Sequence, residues 1–259
     1  MASQWLIKLA LPALVVGWAA TSAKADIVVT FTGTAPSQQI NVSATKGGDT
    51  RAFESPVGPF NFNVNTNTTS LALGSSFRSF CADFFQDVSP ANPQTGATGV
   101  YDFTPVAVSD LPDVAGNATK LSKIQELYDR FYDVATDAEK GAAFQLALWE
   151  ILYDPDANNL ASGNFTAIGP GDPSSIGIAQ GWLNTIGDGS IPDIDKKWDL
   201  VGLYSPTAQD QIVPQQPIPA PAGVVLLVIG AAGLIARRRL AGKKAEATEA
   251  AESTDEAKA

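Results

Sequence analysis

Apolar and polar residues alternate along the first part of the chain with the period of half-buried strands. Phe60, Phe62 and Val64 are separated by Asn61 and Asn63, and Ile40 and Val42 share one face of Gln39–Ser43. Ile27–Thr32, Ser70–Leu73, Phe77–Phe84 and Val100–Val106 are further expected strands, and Gly47, Gly48, Gly58, Pro59 and Asn65–Asn67 mark turns. The period then changes. Leu121, Ile124, Leu127, Tyr128 and Phe131 recur at helical spacing, with Asn117, Thr119 or a Ser122/Gln125 capping box as the start. A second capping box, Thr136 and Glu139, precedes Ala142–Asp154, an amphipathic helix that must end before Pro155. Ile178, Trp182 and Ile186 predict a short third helix stopped at Gly187, and Trp198–Tyr204 a last strand. Ser205–Pro217 reads as a Gln/Pro linker without means of packing, and 245–259 as a disordered acidic tail. The sum over 26–204 is an α+β domain: a mostly antiparallel β-sheet, sandwich or barrel-like, with a helical insertion.

Two apolar runs lie outside that domain. Residues 1–25 have the form of a signal peptide, with Lys8, the run Leu9–Ala20 and an A-x-A site at Ala23–Ala25. Ile218–Ala236 contains no charge; at about 1.5 Å per residue it spans roughly 28 Å, the depth of a bilayer core. Arg237, Arg238 and Arg239 follow, then Lys243 and Lys244, a basic cluster that stays on the cytoplasmic side. The expected protein is exported and held in the inner membrane through 218–236.

Charge narrows its partners. Asp26–Pro217 carries nine Lys and Arg against 22 Asp and Glu, a net of −13, which excludes nucleic acid and an anionic membrane face. No histidine occurs in the chain, so the commonest general base and transition-metal ligand are absent. Asp154–Asn158 begins like a calcium loop, but the sixth and twelfth positions hold Asn159 and Phe165, and it reads as a solvated turn. The acidic loops Gly187–Gly189 and Asp193–Asp195 read the same way. Neither a glycine-rich phosphate loop nor a Ser/His/Asp set can be assembled. No catalytic residue, metal or cofactor is expected, and the chain is read as a non-enzyme.

One apolar face contains an anomaly. On a helical wheel Phe144, Leu148, Trp149, Ile151 and Leu152 share one half of Ala142–Tyr153, Glu150 lies opposite, and Gln145 falls near the middle of the apolar half. Burying a carboxamide costs about 1–3 kcal/mol unless it is hydrogen-bonded. Two explanations stand open. Gln145 bonds to backbone groups at a strand edge or turn. Otherwise it is joined covalently to Cys81, the lone cysteine of an exported chain. A cysteine thiolate that attacks a glutamine side-chain carbonyl expels ammonia and leaves a thioester, provided that the two groups are confined together.

Phe80, Cys81, Ala82 and Asp83 resemble the aromatic-Cys-x-Asp motif of the thioester domains of bacterial surface adhesins. Phe144–Trp149 resembles their T-Q-x-A-φ-W motif, with Phe144 where that family often has threonine. The resemblance covers Ser76–Asp154 and implies an internal thioester cross-link between Cys81 and Gln145. It implies further that a partner amine opens the bond and becomes attached to Gln145, with Trp149 shielding the bond from water and Asp83 orienting the amine. Pro219, Ala220 and Pro221, the apolar run and Arg237–Arg239 resemble the PEP-CTERM sorting signal of Gram-negative bacteria, in which an exosortase-type transpeptidase cuts near the short Pro motif. Here Ala220 replaces the usual Glu, and the chain runs on past the arginines. The expectation is an exosortase-sorted protein of the cell surface or extracellular (biofilm) matrix, adhesin-like, with a structural matrix or envelope protein lacking the thioester as the alternative.

Overall fold

The computed structural model describes residues 27–90, 98–169, 173–187 and 196–216. The signal peptide, the sorting residues Pro219, Ala220, Pro221 and Arg237–Arg239, the tail and most of the two later acidic loops lie outside them. Among the described residues no helix is long and apolar enough to cross a membrane.

Among the described residues nine strands form two antiparallel sheets. Strands β1 (Ile27–Thr34), β4 (Phe60–Asn67), β5 (Ser76–Cys81), β6 (Val100–Ala107), β8 (Asp199–Tyr204) and β9 (Gln211–Gln215) close a barrel in the order β1-β4-β5-β9-β8-β6. Alternation explains its filling: Ile27, Val29 and Phe31 of β1 face inside with Phe62 and Phe103, all buried, while Phe80 lies on the opposite face of β5, against the helices. Strands β2 (Gln38–Lys46), β3 (Asp49–Val57) and β7 (Phe165–Ile168) form the second sheet in the order β3-β2-β7. The β2–β3 hairpin turns through Gly47 and Gly48, both at positive φ, as a two-residue hairpin loop requires.

Among the described residues three α-helices lie between β6 and β8. α1 (Ala118–Phe131) takes Asn117 as N-cap, whose Oδ1 accepts the Lys120 N–H at 3.0 Å. α2 (Ala138–Tyr153) is capped by Asp137, which accepts the Lys140 N–H at 2.8 Å, and stops at Asp154. The expected capping box at Thr136 and Glu139 is therefore replaced by a cap one residue later. α3 (Pro173–Leu183) ends before Ile186, earlier than the apolar spacing suggests.

α2 is the centre of the domain and not an amphipathic surface helix. Every residue from Gly141 to Tyr153 is buried, because α1, α3, the β2-β3-β7 sheet and the end of β5 all pack on it. Glu150, expected on a polar face, is covered by the loop after α2: its Oε1 accepts the Asn159 N–H at 2.6 Å.

The Ser205–Pro217 stretch requires a correction. It contains β9, the strand between β5 and β8, and Ala208–Val213 is buried. Its glutamines are satisfied internally, Gln211 Oε1 accepting from Ser79 Oγ at 2.8 Å and Gln211 Nε2 donating to Gln209 O at 3.1 Å. β3 and β7 lie where no strand is expected from the pattern, and Ser70–Leu73 forms none.

Candidate functional site

Cys81 is the last residue of β5, and its surroundings follow from where β4 begins. β4 and β5 pair as far as Phe60 opposite Ser79. At Gly58 and Pro59 the chain leaves the barrel, with Gly58 so close to Pro36 O that a Cβ there would lie 2.5 Å away. Backbone groups alternate in direction along a strand. The Ala82 N–H points toward β9 and donates to Asp210 O at 2.8 Å. The N–H and C=O of Cys81 point the other way, where β4 offers no partner.

Gln145 supplies it. The Cys81 N–H donates to Gln145 Oε1 at 2.8 Å, and Gln145 Nε2 donates to Cys81 O at 2.9 Å. Both residues are fully buried. The side chain of α2 thus pairs with the end of β5 as a strand residue would, and the two site residues singled out in the sequence are brought together. Phe80 and Phe144, the residues preceding each of the pair, pack with ring centroids 4.2 Å apart and planes tilted by 33°, and Tyr128 meets Phe144 edge-on. Phe144 is thus part of an aromatic clamp beside the pair.

The Cys81 thiol bonds to the turn that follows β5, and its Sγ accepts the Asp83 N–H at 3.4 Å. Its Sγ donates to Asp83 O at 2.9 Å. Burial pushes the thiol pKa well above its usual value, and the charges of Asp83 and Asp210 add to this. Trp149, one helical turn after Gln145, pulls the thiol pKa down against that burial, and by distance and angle its Nε1–H has no hydrogen-bond partner among the described residues. The indole ring packs edge-on against Phe84 at 5.1 Å.

Asp83 is buried two residues after Cys81. Its Oδ1 accepts the Phe85 N–H at 2.8 Å and so folds the chain after β5 into a turn. Burial raises its pKa, against the pull of that N–H. The sequence reading missed the polar group beside it. Asp113, buried after β6, pairs with Lys46 of β2 and accepts a hydrogen bond from Tyr153 Oη, which itself accepts the Phe84 N–H at 2.9 Å. Asp210 accepts the Ser205 N–H at 2.9 Å and is pushed up to about 7, chiefly by burial. These carboxylates come from three distant parts of the chain, so no local spacing announces them.

Among the described residues no group of three or more His, Cys, Asp or Glu side chains is placed to hold a metal ion. Around Asp154 the polar groups are already engaged: Asp154 Oδ2 accepts the Asn164 N–H at 2.8 Å, and Lys123 Nζ donates to Pro155 O at 2.5 Å and Asn158 Oδ1 at 3.0 Å.

No protein-family model, curated protein or solved structure matches this chain. Its functional reading therefore rests on the site itself.

Proposed function

We propose that the chain is an exported, non-enzymatic surface or matrix protein that stores an internal Cys81–Gln145 thioester and attaches covalently to a partner amine. The observation that carries this reading is the reciprocal pairing of Gln145 with Cys81. It confines the carboxamide carbon beside the only cysteine, which makes attack effectively unimolecular. The Cys81 N–H already donates to Oε1, the oxygen on which negative charge develops when sulfur adds to Cδ. Rotation of Sγ from Asp83 O toward Cδ is the remaining movement. Export and membrane retention rest on residues 1–25 and 218–244, and sorting by an exosortase-type transpeptidase rests on Pro219, Pro221 and Arg237–Arg239.

A second reading has its own support. The carboxamide has donor and acceptor both satisfied by the Cys81 backbone, the thiol donates to Asp83 O, and burial opposes the thiolate. On that reading Gln145 joins α2 to the barrel in a structural envelope or matrix protein, and Cys81 stays a thiol. The intact mass of the protein recovered from its native envelope separates the two. The thioester removes one ammonia and gains one methylamine on treatment, and both changes vanish in Cys81→Ala and Gln145→Ala. The same spectrum reads whether residues 1–25 and the segment after Pro221 have been removed.

A further inference from the structure

The backbone carbonyl of Asp83 is shared by two side-chain donors. The Cys81 Sγ–H donates to it at 2.9 Å and Gln209 Nε2 at 3.1 Å, and both bonds are buried. The donors come from distant parts of the chain, Cys81 from the end of β5 and Gln209 from the turn between β8 and β9. That turn is fixed beside the site. Gln211 Nε2 donates to Gln209 O at 3.1 Å, and Asp210 O accepts the Ala82 N–H at 2.8 Å. Gln209 itself is buried, a position a carboxamide holds where its polar groups are used. A carbonyl has two lone pairs and takes both donors. The donors differ in one respect: the thiol has a single proton, and that proton is gone once sulfur is part of a thioester.

We propose that Gln209 is a positioning residue of the thioester: its amide keeps the Asp83 carbonyl paired while Cys81 gives up its proton and takes one back. The inference rests on the thioester reading. In formation, the Sγ–H bond of Cys81 and the Cδ–Nε2 bond of Gln145 break, the Sγ–Cδ bond forms, and the thiol proton leaves with the nitrogen as ammonia. Cys81 then has no hydrogen to offer Asp83 O. A buried carbonyl left alone at that point would count against the product. With Gln209 in place it keeps a donor in both states. In opening, the amine nitrogen bonds to Cδ, the Cδ–Sγ bond breaks, and a proton from the amine returns to sulfur, which can donate to Asp83 O again. The other bonds of the turn, Phe85 N–H to Asp83 Oδ1 at 2.8 Å and Phe84 N–H to Tyr153 Oη at 2.9 Å, do not involve the thiol proton. The turn after β5 can therefore hold its shape through the exchange.

Gln209→Met keeps the length and bulk of the side chain and removes the amide. Its effect on the thermal midpoint is measured in the full chain purified in detergent, in three settings: with the thioester intact, after opening by methylamine, and in a Cys81→Ala background. Intact mass reads the state of each sample. The opened chain has its thiol back, so Asp83 O keeps one donor; in the other two settings the substitution removes the donor that remains. Gln209→Met is therefore expected to lower the midpoint by about 2–4 °C more with the thioester intact, and in Cys81→Ala, than in the opened chain. A glutamine that only packs the β8–β9 turn lowers all three equally. Gln209→Asn, which draws the carboxamide back by one methylene, is expected to give the same order with smaller losses, and decides the question where Gln209→Met does not fold. A thioester in the wild type with equal losses in the three settings overturns this inference alone. A wild-type chain of full mass overturns it together with the thioester reading.

Discussion

Gln145 meets a need created at the start of the neighbouring strand, β4. Because the chain leaves β4 at Gly58 and Pro59, the backbone of Cys81 ends in the core with no strand on its β4 side, and a carboxamide is the side chain that offers one donor and one acceptor at strand spacing. Gln145→Ala leaves both backbone groups unpaired and is expected to lower unfolding free energy by about 2–4 kcal/mol in urea titration. Cys81→Ala keeps the backbone and removes one sulfur, and is expected to cost about 1 kcal/mol. Glu150 gives a pH test. Its carboxyl is raised from 4.5 to about 7 by burial first and by the charge of Asp154, against the Asn159 N–H and Lys123. The folded chain holds a proton that the unfolded chain releases, so this contribution is present below the unfolded pKa and lost as pH rises through about 7. Glu150→Gln keeps the acceptor for Asn159. It is expected to be the more stable chain at about pH 8, by on the order of 2 kcal/mol, and to show a smaller fall in urea midpoint between about pH 5 and pH 8. At this scale the sequence was informative where a residue broke a pattern, as Gln145 did. It was silent on Asp113 and Asp210, whose meaning comes from neighbours far away in the chain.

Among the elements, α2 was legible in extent and misread in setting. Its apolar content and the Pro155 stop marked it, but a helical wheel reads Glu150 as solvent-facing, and only the packing of α3 and the following loop shows otherwise. Its start is set by Asp137. Asp137→Ala is expected to cost about 1 kcal/mol and Thr136→Ala only a few tenths, as measured by thermal unfolding. Three strands escaped the pattern for separate reasons. β3 turns Arg51 toward the core side, where its Nη1 donates to Phe84 O at 3.1 Å, so alternation reads as polar. β7 has four residues inside a Gly/Asn-rich loop. β9 consists of Gln, Ile, Val and Pro, and buries its first glutamine by bonding it to Ser79 and Gln209.

At the scale of the whole molecule, barrel closure depends on the strand that composition disguised as a linker. β9 joins β5 to β8, and Ile212 O also accepts the Tyr128 hydroxyl at 3.1 Å. A chain ended after Tyr204 loses that strand, leaves β5 and β8 with open edges, and is expected to show no cooperative thermal transition. A chain ended after Gln216 retains the barrel and is expected to unfold cooperatively. β9 also positions the site, since it holds Phe80 and Cys81 on the side opposite Gln145. The proposed account needs this rigidity, because a stored electrophile must be kept from water until an amine arrives. The most direct measurement is the intact mass of the natively folded protein with and without methylamine. The account expects a mass one ammonia below the sequence, a single methylamine adduct, and neither in Cys81→Ala or Gln145→Ala. A full mass with no adduct, and one thiol that titrates once the chain is unfolded, would contradict it.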